Sequence, residues 1–104
     1  MRVASRVAPC GLECAEARIW CLDDPEDVNK AVRVAWCESR FNPASTNLRT
    51  GAVGLFQHLP KYWAERAENA GFSDADPSDP EASTAAAAWA VYNEGGWDTF
   101  ACRG

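Results

Sequence analysis

Most of the residues able to do chemistry lie in one stretch, Trp36-Cys37-Glu38-Ser39-Arg40-Phe41-Asn42-Pro43, followed by Gly51-Ala52-Val53-Gly54-Leu55-Phe56-Gln57. A helix cannot run through Asn42-Pro43, because the residue before a proline is pushed out of the helical region. Glu38 therefore falls near the C-terminus of the helix that precedes it. A carboxylate there faces the negative end of the helix dipole, which disfavours ionisation. Flanking Trp36 and Phe41 add desolvation, and burial raises a carboxyl pKa. An acid still protonated near neutral pH is what protonation of a leaving glycosidic oxygen requires. Helix position alone equally fits an ordinary solvated glutamate, since exposed carboxylates are the default.

The element that must position Glu38 opens at Asp23-Asp24-Pro25-Glu26-Asp27. Asp24 can cap, Pro25 suits the first turn, and Glu26 and Asp27 favour the positive end of the dipole. Val28, Ala31, Val32, Ala35 and Trp36 then recur at helical spacing, to about Ser39. On a wheel of 100° per residue Glu38 sits about 80–90° from the centre of that stripe, on the lip between core and solvent. Cys37 points nearly opposite the stripe and needs cover from another segment. Phe41 to Leu59 is too rich in turns for a helix, with short strands expected around Ala52 to Gln57. A second helix follows Pro60 and stops at Gly71, and a third opens at Asp79-Pro80-Glu81 and ends near Gly95-Gly96. Between them Phe72 to Pro80 reads as a surface loop. Trp63 and Trp89 read as core, and His58 as a partly exposed histidine that can reach the cleft.

The chain of 104 residues is long enough for one domain. A hydrophobic fraction of 47% and five tryptophans argue for a folded globule and against a disordered tail. The net charge of −5, with scattered basic residues, excludes a polyanion-binding patch and hence a nucleic-acid partner. No apolar run reaches the roughly 18–20 residues of a membrane span. Five cysteines favour disulfides. The spacing of Cys10, Cys14 and Cys21 is not that of a zinc ribbon, and no metal is expected. Among those three, three pairings are open and one thiol stays unpaired. Met1 to Ala8 has no long apolar region and does not read as a signal peptide. Export by another route, a signal outside this chain and a phage-borne protein all remain consistent with that.

Glu38-Ser39-x-Phe41-Asn42-Pro43, Gly51-Ala52-x-Gly54-Leu55-Phe56-Gln57 and the downstream Tyr92-Asn93-Glu94-Gly95 together resemble the soluble lytic transglycosylase (SLT) family of the lysozyme-like superfamily. Trp36-Cys37-Glu38-Ser39 with Trp97 and Cys102 also resembles the catalytic domain of resuscitation-promoting factors. In that group the cysteine before the glutamate pairs with one near the C-terminus, which implies a Cys37–Cys102 disulfide. Such a bond would close a loop of about 65 residues and stabilise by roughly 4 kcal/mol on the chain-entropy model. Position by position, the resemblance implies Glu38 as the single catalytic acid/base, Ser39 and Gln57 lining the site, and Tyr92 and Asn93 facing the glutamate across the cleft. The loop Ala44 to Thr50 is one residue longer than the commonest spacing. Phe56 replaces a frequent methionine, and His58 follows Gln57 as a further candidate sugar contact.

The fold expected is mainly α, a small α+β lysozyme-like domain with an irregular or short-strand region after the catalytic helix. Residues 1–22 would be a cysteine-containing extension packed on a catalytic domain of residues 23–104. The resemblance implies cleavage of the β-1,4 bond between N-acetylmuramic acid and N-acetylglucosamine in peptidoglycan, without cofactor, by a monomer acting outside the cytoplasm, secreted or phage-encoded. A glycosidase ordinarily needs two carboxyl groups, and Glu94 and Asp98 are the only nearby candidates for a second; a transglycosylase manages with one. The alternatives are a lysozyme-type hydrolase and a non-catalytic wall-binding or virion module on the same fold.

Overall fold

A computed structural model describes residue 22 and residues 24–102. Helix α1, Pro25–Ser39, begins as its sequence requires, with the Asp24 side chain accepting from the Glu26 N–H at 2.8 Å and proline in the first turn. Helix α2, Pro60–Ala70, ends at Gly71, whose φ of 98° supplies the left-handed cap. Helix α3, Pro80–Ala90, starts on the Asp79 carboxylate, which accepts from the N–H groups of Glu81 and Ala82. It runs on into a π-helical turn, Val91–Gly95, and a short 3-10 turn, Gly96–Thr99. The three helices agree with the mainly α fold expected. Of the N-terminal extension only Leu22 is described, buried in the core; Cys10, Cys14 and Cys21 lie outside the described residues.

Helix α3 is the central element. Ala82, Ala85, Ala86, Ala87, Ala88 and Ala90 are all buried, and a helix apolar on every side belongs inside. Its small side chains let neighbours approach on two faces. On one, Trp63, Ala67 and Ala70 of α2 pack against Ala82, Ala85 and Ala86. On the other, Val34 and Ala35 of α1 meet Ala87, Ala88, Phe56 and Phe100. Trp89 contacts both clusters, and Trp63 is buried, as their helical spacing implied.

Two expectations about local structure change. Val32 and Trp36 are 52% and 51% exposed, whereas Val34 is fully buried. The buried stripe of α1 is Ala31, Val34, Ala35 and Ser39, so the helix is rolled away from the Val32–Trp36 edge. Periodicity set the width of the apolar stripe but left open which edge would meet α3. Between α1 and α2 the described residues form only isolated antiparallel bridges, Thr46 with Val53 and Val53 with His58. Val53 and His58 exchange both backbone hydrogen bonds at 3.1 Å across a tight turn in which Gln57 takes φ 54°. The ladder ends there because Pro60, which would supply the next paired N–H, has none and opens α2.

Gly54 begins that turn at φ +95°, and a Cβ there would collide with the Pro77 carbonyl and press on Ser83 Oγ. The turn is thereby seated against the Phe72 to Pro80 loop, which the Trp63 indole N–H ties to α2 through the Ala75 carbonyl at 2.9 Å. Gly54→Ala is expected to destabilise the domain by about 2–4 kcal/mol, the left-handed cost plus the backbone collision. Gly71→Ala, at a helix cap, should lose only about 1 kcal/mol. Parallel urea unfolding of the two variants checks the difference.

Candidate active site

Helix α1 ends immediately after the glutamate because Arg40 and Phe41 are both left-handed, at φ 56° and 62°. The Arg40 backbone N–H and its guanidinium Nη1 both donate to the Trp36 carbonyl, the latter at 2.8 Å. Arg40 lies over the Trp36 ring, and Trp36 packs on Phe41 with ring centroids 5.3 Å apart. These two aromatics therefore cover each other, half exposed, and Glu38 is covered by another segment. That cover is the C-terminal tail. Cys37 is bonded to Cys102, with Cα atoms 5.9 Å apart, and the Cys102 backbone N–H donates to Glu38 Oε2 at 2.9 Å. The strap thus crosses the glutamate itself instead of passing behind its helix, and Cys37 stays on the surface.

Burial beneath this tail pushes the Glu38 carboxyl above the ordinary carboxylate range; the N–H groups of Cys102 and Ala101 pull the other way and only partly offset it. Beside Glu38 opens a cavity of about 460 Å3, bounded by Gln57, Tyr62, Arg66, Asp98 and Asn47 among others. Gln57 holds the wall together: its amide Nε2 donates to the carbonyls of Ser45 and Gly54, both at 3.0 Å. Asn47 does the same for the neighbouring turn, its side-chain oxygen accepting from the N–H groups of Arg49 and Thr50. Among the described residues no three His, Cys, Asp or Glu side chains gather as a metal site needs. None of the described helices is long and apolar enough to cross a membrane.

A family model of the transglycosylase SLT domain matches residues 23–95. The chain belongs to the SLT family. Neither a curated protein nor a solved structure gives a significant match. As an SLT domain it is of the peptidoglycan lytic-transglycosylase type, whose members act on the cell wall outside the cytoplasm. The match spans all three helices and both ends of the α1-to-α2 connection.

Within this SLT domain the residues singled out in the sequence part company. Glu38 and Gln57 share the cavity. Ser39 turns inward, its hydroxyl donating to the Ala35 carbonyl at 3.0 Å in the buried face of α1. Tyr92 donates to Asp27 Oδ2, and the Trp97 indole N–H to Asp27 Oδ1, both at 3.1 Å. Asp27 lies in the first turn of α1, about 16 Å from Glu38 along the axis at 1.5 Å per residue. The exposed Asn93 donates to the Trp89 carbonyl. The π-helical turn thus directs Tyr92 to the first turn of α1, at the end opposite the glutamate, and leaves Asn93 bonded to the Trp89 carbonyl one turn back.

His58 also departs from expectation: it is 1% exposed, not a partly open cleft residue. Its ring is packed by Phe56, Trp63 and Phe100. Arg66 Nη1 lies 3.1 Å from Nδ1, and an arginine can only donate, so Nδ1 is the acceptor. Nε2 then carries the proton and donates to the Ser83 carbonyl at 2.9 Å. Arg66 is itself buried, with Nε donating to Glu94 Oε1 at 2.9 Å. Glu94, one of the two candidates for a second carboxyl, is the partner of this cation. The signal for Arg66 was present in the sequence: Trp63, Arg66, Ala67 and Ala70 form an apolar stripe interrupted by one charge.

Burial lowers the His58 pKa from 6.5 to about 4, with the adjacent Arg66 acting in the same direction. A histidine held neutral contributes stability that is present above pH 6.5 and disappears as the pH falls toward 4. This group alone should cost the fold on the order of 3 kcal/mol across that window. Urea unfolding as a function of pH checks it, with His58→Gln, neutral throughout, lacking that component.

Proposed function

We propose that this SLT domain cleaves the β-1,4 bond between N-acetylmuramic acid and N-acetylglucosamine in peptidoglycan, with Glu38 as both acid and base. The observation that carries the reading is a half-buried carboxyl, raised by its surroundings, at the edge of a cavity in a chain of the SLT family. Protonated Glu38 gives its proton to the leaving O4 of N-acetylglucosamine as the bond to muramyl C1 breaks, the electron pair going to that oxygen. Positive charge develops at C1. Glu38, now a carboxylate, takes the proton of the muramyl C6 hydroxyl while its oxygen bonds to C1 and closes a 1,6-anhydro ring. The acid is restored and no water is consumed. The Cys102 N–H supports the intermediate carboxylate, and burial supports the acid on either side of it.

Asp98 lines the same cavity, which favours a second reading, hydrolysis with Asp98 activating water and Glu38 as acid. Product chemistry separates the two: mass spectrometry should find 1,6-anhydro ends after transglycosylation and reducing ends after hydrolysis. Glu38→Gln should keep the fold and lower the clearing of purified cell walls by about 100- to 10,000-fold, the usual weight of a general acid. Activity should fall as the pH rises through a Glu38 pKa above the ordinary carboxylate range. Retained clearing by Glu38→Gln would remove Glu38 from the mechanism, and wall binding without fragment release by the unaltered protein would indicate a non-catalytic module.

A further inference from the structure

The cavity beside Glu38 is walled by two acids, Glu38 and Asp98, and by one cation, Arg66. Arg66 is 5% exposed, and its guanidinium is oriented from three directions. Nε is held by Glu94 and Nη1 by His58. The faces of the group are occupied by the Tyr62 ring, 5.0 Å away and one turn earlier on α2, and by the Phe100 ring at 6.0 Å. The third nitrogen, Nη2, takes no hydrogen-bond partner among the described residues, and it is not among the fully buried atoms left unpaired. Two nitrogens fix the plane, and one donor edge is left for a ligand in the cavity. His58 is neutral, so among the described residues Glu94 is the only counter-charge bonded to this group, and it sits on the Nε side.

A rigid guanidinium with an open edge suits an oxygen anion, and a charge-assisted hydrogen bond is the stronger kind. With a net charge of −5 the domain has no long-range attraction for an acidic polymer, so any anion preference must be built locally. In the substrate proposed above, the acidic group carried by the sugar next to the scissile bond is the lactyl carboxylate of muramic acid, free where the stem peptide has been removed. We propose that Arg66 is a specificity-determining residue that receives this lactyl carboxylate on Nη2 and so distinguishes strands with free lactyl carboxylates from those whose lactyl groups are amide-linked. The assignment rests on the reading of the Glu38 cavity as the glycan-cleaving site.

The test is binding of two probes to the unaltered protein at pH 7 by calorimetry: the disaccharide N-acetylglucosaminyl-N-acetylmuramic acid with its lactyl carboxylate free, and the same disaccharide as its neutral methylamide. The carboxylate should bind at least about tenfold more tightly, as a hydrogen bond to a charged partner gives. Arg66→Lys, which keeps the charge and loses the planar fork, should shrink that ratio several-fold. Equal binding of the two probes, tighter binding of the methylamide, or binding of neither overturns the assignment, and these outcomes need no variant. An unchanged ratio in folded Arg66→Lys also overturns it. If the preference is absent while Glu38→Gln still abolishes wall cleavage, only Arg66 is misassigned. If Glu38→Gln cleaves normally, the reading of the cavity itself fails.

Discussion

The site depends on one cross-link: the tail is held over the end of α1 by the bond between Cys37 and Cys102. Beneath that contact Glu38 is half-buried, and its carboxyl is raised by burial against the opposing pull of the tail N–H groups. The tail removes water from the carboxyl, and the Cys102 N–H fixes one of its oxygens. Without the strap, a glutamate in the last turn of a helix would extend into solvent and behave as an ordinary acid. The cross-link spans 65 residues, so on the chain-entropy model it also contributes about 4 kcal/mol by restricting the unfolded chain. One bond thus serves both the stability of a small domain and the protonation state of its acid.

The remainder of the fold presents the opposite wall of the cavity. Helix α3 lies close against α2 through its alanines, and its other face shares an apolar cluster with Val34 and Ala35 of α1. A buried arginine in α2 would be prohibitive alone. It is accommodated by Glu94 from the turn after α3 and by His58 from the turn before α2, each taking one nitrogen. Phe100 of the tail packs against both His58 and Arg66. The tail over Glu38 and the charged wall are therefore one connected assembly.

What could be read from the sequence was local or carried by family motif. The openings at Asp24-Pro25 and Asp79-Pro80 and the stop at Gly71 are single-turn chemistry, and all three fall where that chemistry puts them. The Cys37–Cys102 pairing was implied by resemblance and not by spacing, since nothing local selects a partner so far along the chain. Long-range placement is where reading from residues alone stopped. Whether Val32 or Val34 of α1 faces inward depends on how the helix rolls against α3. His58 follows a glycine-containing turn that offers its ring nitrogens no partner, yet three aromatic rings enclose it, two of them from α2 and the C-terminal tail. Tyr92 and Asn93 match their motif, but the π-helical turn directs Tyr92 to Asp27 at the far end of α1. The stripe of α2 marks Arg66 as inward-facing, but the partners that make its burial tolerable lie 8 and 28 positions away, beyond what that stripe can show.

The central claim is that the disulfide-held tail, and not the helix end or its flanking aromatics, keeps Glu38 an acid. Carbon-13 NMR titration of the Glu38 carboxyl, in the oxidised protein and again after reduction of Cys37–Cys102, measures this directly. The expected result is a pKa above the ordinary 4.5 when the strap is closed, returning toward that value when it is opened while the helices persist. A Glu38 that titrates at or below 4.5 in the oxidised protein, or one whose elevated pKa is untouched by reduction, would contradict it.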